Sequence, residues 1–191
     1  MELREKQQKI LEVAIELFKE KGYPASSVRD LATKLNIKAA SLYAHIRSKE
    51  EILEWICFGV AQEFFDELQI IKTTSLPPKE KLNLFIDKHL SIVLKNRDVT
   101  HIYSNEWKHL EERLTEFVDL RKNYQQEVEQ LISEIYTAEN WELKSPTFTT
   151  RFILHTLNNS YFWFKRNIES TDEINAEIKE KLLYGLLGRN K

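Results

Sequence analysis

The sequence predicts an all-α fold of about nine helices: a three-helix head carrying a helix-turn-helix, then a larger helical body. Three observations lead there. Glycine and proline number only four each in 191 residues, so chain breakers are scarce. Apolar residues recur at the i, i+3, i+4, i+7 spacing of an amphipathic helix in one segment after another. No stretch reads convincingly as a strand, and there is no internal repeat or low-complexity tract. With 42% hydrophobic and 30% charged residues, the composition is that of an ordinary globular chain and excludes a disordered one.

The first helix covers about 4–21, with Ile10, Val13, Ala14, Leu17 and Phe18 on one stripe. Gly22 stops it and Pro24 lies just beyond. Ser26 or Ser27 caps a second helix, whose stripe is Val28, Leu31, Ala32 and Leu35. Asn36, which tolerates left-handed backbone, ends it, and Ile37 is expected to plug the corner. A third, short helix starts near Lys38 or Ala39 and ends around Ile46. Two short helices joined by a turn of about three residues form a helix-turn-helix. The apolar residues of this head, 1–47, barely fill one core, so the head must lean on something else.

The body is expected over 48–191. Ser48 and Glu51 give the S-x-x-E capping pair of its first helix, which runs to about Lys72 with Ile52, Trp55, Ile56, Val60 and Phe64 on one side. "TTSLPP" at 73–78 breaks the chain. A helix over 79–96 follows, with Leu82, Phe85, Ile86, His89, Leu90 and Val93 on its stripe. Further helices are expected over 98–109 and 111–137, then a loop around 140–146, then helices over 147–168 and 171–188.

The net charge of −2 hides an asymmetry. Residues 1–50 hold ten Lys/Arg against seven Asp/Glu, and the remainder 18 against 23. A mildly basic head is compatible with a polyanionic partner. No apolar run reaches the roughly 18 residues of a membrane span. The charged start "MELREKQQKI" shows no secretory signal, and the single Cys57 permits no disulfide within the chain, so a cytoplasmic location is expected. Cys57 reads as a buried apolar thiol. There is no Gly-rich phosphate loop, no G-x-S-x-G and no H-E-x-x-H, so neither an enzyme nor a cofactor is expected. His101, Glu106 and His109 lack tight ligand spacing, and no metal is expected there.

The stretch "IKAASLYAHIRSKEEIL", residues 37–53, carries the chemistry. A helix enters the DNA major groove only if its leading face is small or polar. Here that face is Lys38, Ala39, Ala40 and Ser41, while Leu42 and Ile46 would turn into the head. Alanine can meet a thymine methyl, serine a base edge or phosphate, and lysine a guanine or phosphate. Lys49 sits in the first turn of the next helix, where a cation opposes the helix dipole. A phosphate there would reverse that sign; a solvated lysine is the bland alternative.

The whole stretch "ILEVAIELFKEKGYPASSVRDLATKLNIKAASLYAHIRSKEEIL" resembles the DNA-binding head of the TetR family of bacterial regulators. The likeness rests on the Phe18…Gly22-Tyr23 turn, Ser26-Ser27 before Asp30-Leu31-Ala32, the Leu42-Tyr43 pair, His45, and Ser48-Lys49-Glu50. Asn36 stands where the family usually has glycine, and asparagine holds the same backbone shape. The resemblance implies a dimeric regulator whose body binds an inducer. It further implies that Tyr43, His45, Lys49 and the Ser26/Ser27 cap hold phosphates, while Lys38, Ala39, Ala40 and Ser41 face bases. For Tyr43, packing within the head is the alternative, and both can hold.

In the body, "NEWKHLEERLTEFVDLRKNYQQEVEQLI" (105–132), with Glu106, Leu110, Arg121 and Tyr124, resembles a subgroup responding to acyl-CoA thioesters and related lipid-derived ligands. "NNSYFWFKRN" (158–167) lacks the proline that subgroup often has in its penultimate helix. An apolar or acyl-CoA-type ligand would then meet Trp55, Phe85, His89, Tyr103, Trp107, Arg121, Tyr124 and Phe152. Aromatic stripes also serve as plain core, and His89 also reads as a hydrogen-bonded core histidine. The last two helices are expected to form a four-helix bundle with a second copy through Phe148, Thr156, Asn159, Trp163, Ile178, Leu182, Gly185 and Leu186. Two other readings stay open: a DNA-binding protein controlled by a protein partner, and an enzyme or carrier with a vestigial head.

Overall fold

The computed structural model describes residues 4–162 and 171–187. Among them the helices are α1 (Glu5–Lys21), α2 (Val28–Lys34), α3 (Ala39–Leu42), α4 (Lys49–Thr73), α5 (Pro78–Lys95), α6 (Arg97–Asn105), α7 (Leu114–Ala138), α8 (Pro146–Asn159) and α9 (Thr171–Leu187). Short 3-10 turns at Trp107–His109 and Ser160–Phe162 follow α6 and α8. There is no strand among the described residues, so the all-α expectation holds.

Local chemistry sets the head's boundaries. Gly22, with φ 79°, closes α1, and its N–H donates to the Phe18 carbonyl. Ser27 and Asp30 then form a reciprocal cap on α2. Ser27 Oγ accepts from the Asp30 N–H at 3.1 Å, and an Asp30 carboxylate oxygen accepts from the Ser27 N–H at 2.9 Å. The Ser27 hydroxyl and Lys21 Nζ also donate to that carboxylate, which holds Asp30 at about 2, below its ordinary 3.8. Asn36 takes the left-handed conformation, φ 53°, that ends α2.

Two local expectations change. Ile37 does not plug the corner: it is 41% exposed, because the left-handed step at Asn36 carries the next side chain outward. The α-helical part of the third helix is a single turn, Ala39–Leu42; beyond it the chain tightens, with the His45 N–H reaching back three residues to the Leu42 carbonyl at 2.9 Å.

The chain divides into two compact units, residues 1–62 with 96–119, and residues 63–95 with 120–191. In the first, α1 packs on α2 and on α6, and α2 on α3. Its buried side chains include Ile10, Leu17, Phe18, Leu31, Leu42 and Ile46. The head leans on the segment 96–119, as its small core requires. Lys19 Nζ pairs with Asp98 at 2.7 Å, the Tyr23 and His109 rings stack at 5.5 Å, and a Glu50 carboxylate oxygen accepts from the Glu112 N–H at 2.9 Å. Glu54, only 6% exposed, meets the guanidinium of Arg113 at 3.5 Å and that of Arg47 at 3.9 Å.

The second unit holds one core of α4, α5, α7, α8 and α9 residues, among them Leu68, Phe85, Ile86, Leu90, Leu131, Ile132, Ile153, Leu157, Ile178 and Leu182. Two of the residues expected at an interface with a second copy lie in this core. Ile178 and Leu182, 5% and 3% exposed, bury against their own chain. Helix α9 packs on α5. Phe148 is instead 69% exposed, Thr156 and Asn159 are half-buried, and Gly185 is exposed, with no described residue beyond its own helix within 4 Å of where a side chain would begin. Trp163 and the side chain of Leu186 lie outside the described residues.

Candidate nucleic-acid interface and body cleft

The turn between α2 and α3 positions the candidate DNA-facing side chains. Lys38 precedes α3 as its N-cap residue and is exposed, as are Ala40 and Ser41; Ala39 is half-buried. Leu42 and Ile46 face inward at 0% and 2% exposure, which fixes the opposite face of this short segment outward. Tyr43 is 56% exposed, so its ring lies at the surface rather than in the head's core. His45 is half-buried, and its carbonyl accepts from Gln7 Nε2 at 3.3 Å, joining the end of the segment to the start of α1.

Two expected phosphate contacts have other partners. Ser26 is 4% exposed and its hydroxyl donates to the Gly22 carbonyl at 2.7 Å, so burial removes it from the surface. Its neighbour Ser27 is exposed and caps α2. Lys49 Nζ donates to the carbonyls of Tyr23 and Ser26 at 2.7 and 2.8 Å and sits 4.1 Å above the Tyr23 ring. Two of its three N–H groups are thus spent stapling the start of α4 to the α1–α2 turn. Burial lowers the Lys49 pKa from its ordinary value and, with Glu50 and Glu111 nearby, raises that of Tyr23. Two lysines given no role from the sequence, Lys6 and Lys9, are also exposed on the head. The only signal for them was their positive charge.

The candidate ligand residues fall into two groups. In the first unit, Tyr103 and Trp107 lie around Phe117, with ring centres 5.8 and 6.3 Å away, and Phe58 joins them at 5.3 Å. Trp55, 7% exposed, is part of the same unit. In the second unit, Phe85, His89 and Tyr124 come together. The His89 ring stacks on Phe64 at 4.3 Å and lies 5.6 Å from Phe85. Its Nε2 is 2.9 Å from the Asn158 amide oxygen and its Nδ1 is 3.2 Å from the Tyr124 hydroxyl. The amide oxygen can only accept, so Nε2 carries the proton and Nδ1 accepts from Tyr124. Burial pushes His89 down to about 4, against the opposing pull of the Asn158 bond. The cleft beside these rings has no room for a water molecule. Arg121 is half-buried in the same unit.

Phe152 does not belong with them. It is 49% exposed and stacks on Phe148 at 6.5 Å, on the outer face of α8. Among the described residues no group of three His, Cys, Asp or Glu could hold a metal ion, and no helix is long and apolar enough to cross a membrane.

Comparison with known proteins agrees with this architecture. Residues 10–56 match the family model described as bacterial regulatory proteins, tetR family, and residues 75–186 match the tetracyclin repressor-like, C-terminal domain. Over 119 residues, 61% of the chain, it is 29% identical to the transcriptional repressor KstR2 of Rhodococcus jostii, and the match spans 58% of that relative's length. The ketosteroid transcriptional regulator KstR2 of Mycobacterium tuberculosis superposes with a TM-score of 0.86 at 22% identity, covering 96% of both chains. AibR, solved with isovaleryl coenzyme A and operator DNA, superposes with a TM-score of 0.81 at 24% identity, covering 96% of this chain and 98% of its own. With its helix-turn-helix matched by one of these models and more than half of its length by the other, the chain belongs to the tetR family, a family of regulators and not of enzymes.

Proposed function

We propose that the protein is a dimeric, cytoplasmic repressor of transcription that binds a palindromic operator and releases it when an apolar or acyl-CoA-type ligand enters the body. The observation that carries the DNA-binding part is the outward face of the α3 segment, where Lys38, Ala40, Ser41 and Tyr43 are exposed while Leu42 and Ile46 anchor it. A small, polar leading face on a rigidly held helix is what major-groove reading needs. Two heads related by two-fold symmetry would read two half-sites about one helical turn or a multiple apart.

The ligand part is supported by the aromatic surroundings of the His89–Tyr124–Asn158 group and by the isovaleryl coenzyme A bound to AibR, a protein of the same fold. Because the cleft beside His89 is too narrow for a water molecule, a ligand would have to widen it. Helices α4 and α7 each contribute residues to both units. The coupling required is modest: a tenfold loss of DNA affinity needs about 1.4 kcal/mol, and linkage makes it reciprocal. The narrow cleft is also what favours a second reading, in which a protein partner controls the repressor and no small molecule enters.

The test is selection of genomic fragments on the protein at moderate salt, repeated with fatty acids and acyl-CoAs of several lengths. An enriched two-fold motif, released by one chain-length class, is the expected result. Absence of any enriched motif overturns the proposal. A motif that no such ligand releases leaves the partner-controlled reading in its place.

A further inference from the structure

We infer that the amino-terminal half of α1 is a second element of the DNA-reading surface, with Lys6 and Lys9 gripping a phosphate of the operator's flank and Ile37 meeting a thymine methyl. The inference rests on the DNA-binding reading above and extends it to residues outside the helix-turn-helix.

A groove of about 280 Å³ runs between α1 and α3, lined by Lys6, Lys9, Ile37, Ser41 and His45 over a floor that includes Ile10. Ser41 and His45 lie on the surface just assigned to DNA. The groove is therefore continuous with that surface rather than remote from it. A second hollow, of about 310 Å³, adjoins it and shares Lys6 and His45, with Arg4 on its rim. Among the residues lining the two hollows, Arg4, Lys6 and Lys9 are set against one acidic side chain, Glu5. That charge selects a polyanion as occupant.

Four other lysines of the head are already engaged. Lys19, Lys21 and Lys34 pair with Asp98, Asp30 and Glu20, and Lys49 is held by two carbonyls. Lys6 and Lys9 are exposed on the groove wall. Ile37, an aliphatic side chain left 41% exposed, lines the same groove. A T–A pair in the major groove presents a methyl beside a charged backbone, which an aliphatic side chain flanked by lysines would suit. Gln7, whose amide donates to the His45 carbonyl, keeps α1 and the α3 segment in register, so both would meet the duplex as one rigid surface.

The experiment uses the full chain and the operator that it selects. Lys6→Ala and Lys9→Ala should each weaken every operator variant alike, by on the order of tenfold, and flatten the salt dependence by about one unit per head. Ile37→Ser should leave the salt slope unchanged and cut preference for T–A at one position by about fourfold, the value of one buried methyl, while Ile37→Val keeps it. Lys144→Ala, 81% exposed in the other unit, controls for net charge and should do nothing. Thermal melts confirm that each variant is folded. If the wild type selects no DNA, the DNA-binding reading falls and this one with it. If the wild type binds but the Lys6→Ala/Lys9→Ala double variant keeps its affinity and salt slope, only the role of α1 is lost. If Ile37→Ser leaves every base preference intact, the methyl contact is lost.

Discussion

Protonation of His89 should be one of the chain's main acid weaknesses. The ring is enclosed by Phe64, Phe85 and Tyr124, and its pKa is lowered from 6.5 to about 4. An unfolded chain binds a proton at this residue below about pH 6.5, whereas the folded chain does not until about pH 4. Stability is therefore full above 6.5 and falls as the pH drops toward 4. A shift of this size corresponds to roughly 3 kcal/mol in all, of which roughly 2 is lost by pH 5. For a chain of this length that is a fall in Tm of about 4–8 °C. The comparison to make is wild type against His89→Gln, whose amide keeps a donor and an acceptor but does not titrate. The other four histidines and all carboxylates are common to both. The difference in stability between the two proteins, followed by thermal melts from pH 7.5 to 4.5, should shrink as the pH falls. Parallel curves, or an NMR titration of His89 with a midpoint near 6.5, would refute the burial argument.

Lys49→Ala should destabilise the head by about 1–3 kcal/mol, since it removes two charge-assisted bonds to buried carbonyls; Tm with and without operator separates this from a direct DNA effect. Leu182→Ala should cost about 2–5 kcal/mol in melts, as any large-to-small change in a packed core does. Phe148→Asp with Phe152→Asp should leave the chain folded and, if the exposed α8 face is where the proposed dimer forms, convert dimer to monomer in sedimentation. Asp30→Asn should remove an acid-sensitive contribution: with its carboxylate held at about 2, wild-type α2 keeps its cap until the pH falls from about 4 through 2, visible as a lower-pH midpoint of acid unfolding than in the variant.

What could be read in advance was what is decided locally. Gly22, one of the two candidate caps (Ser27) and Asn36 stop, cap and turn the chain through atoms within a few residues, and each behaves as its chemistry dictates. Lys49 could not be placed, because the two carbonyls that hold it belong to residues 23 and 26 positions away, and carbonyls leave no mark in a sequence. The swap between Phe152 and Leu182 has another cause. Helices α8 and α9 both carry apolar residues on more than one side, and helical spacing cannot say which side meets the same chain and which meets water. Ile37 was misjudged for the same reason that Asn36 was judged well: the turn was foreseen, but not the direction in which it sends the following side chain.

The brevity of α3 bears on how such a regulator can diverge. Only four residues are α-helical there, and of these Leu42 alone is buried, held from outside by the rest of the head. Ala40 and Ser41 are exposed and carry none of the core, so under the proposed DNA-binding reading exchanging them would alter which bases are met with little effect on the fold's stability. A duplicated copy of this gene could drift to a new operator by one or two substitutions at these positions, with no need for compensating changes beneath. Selection on binding and selection on folding act here on different atoms, and each can proceed without waiting for the other.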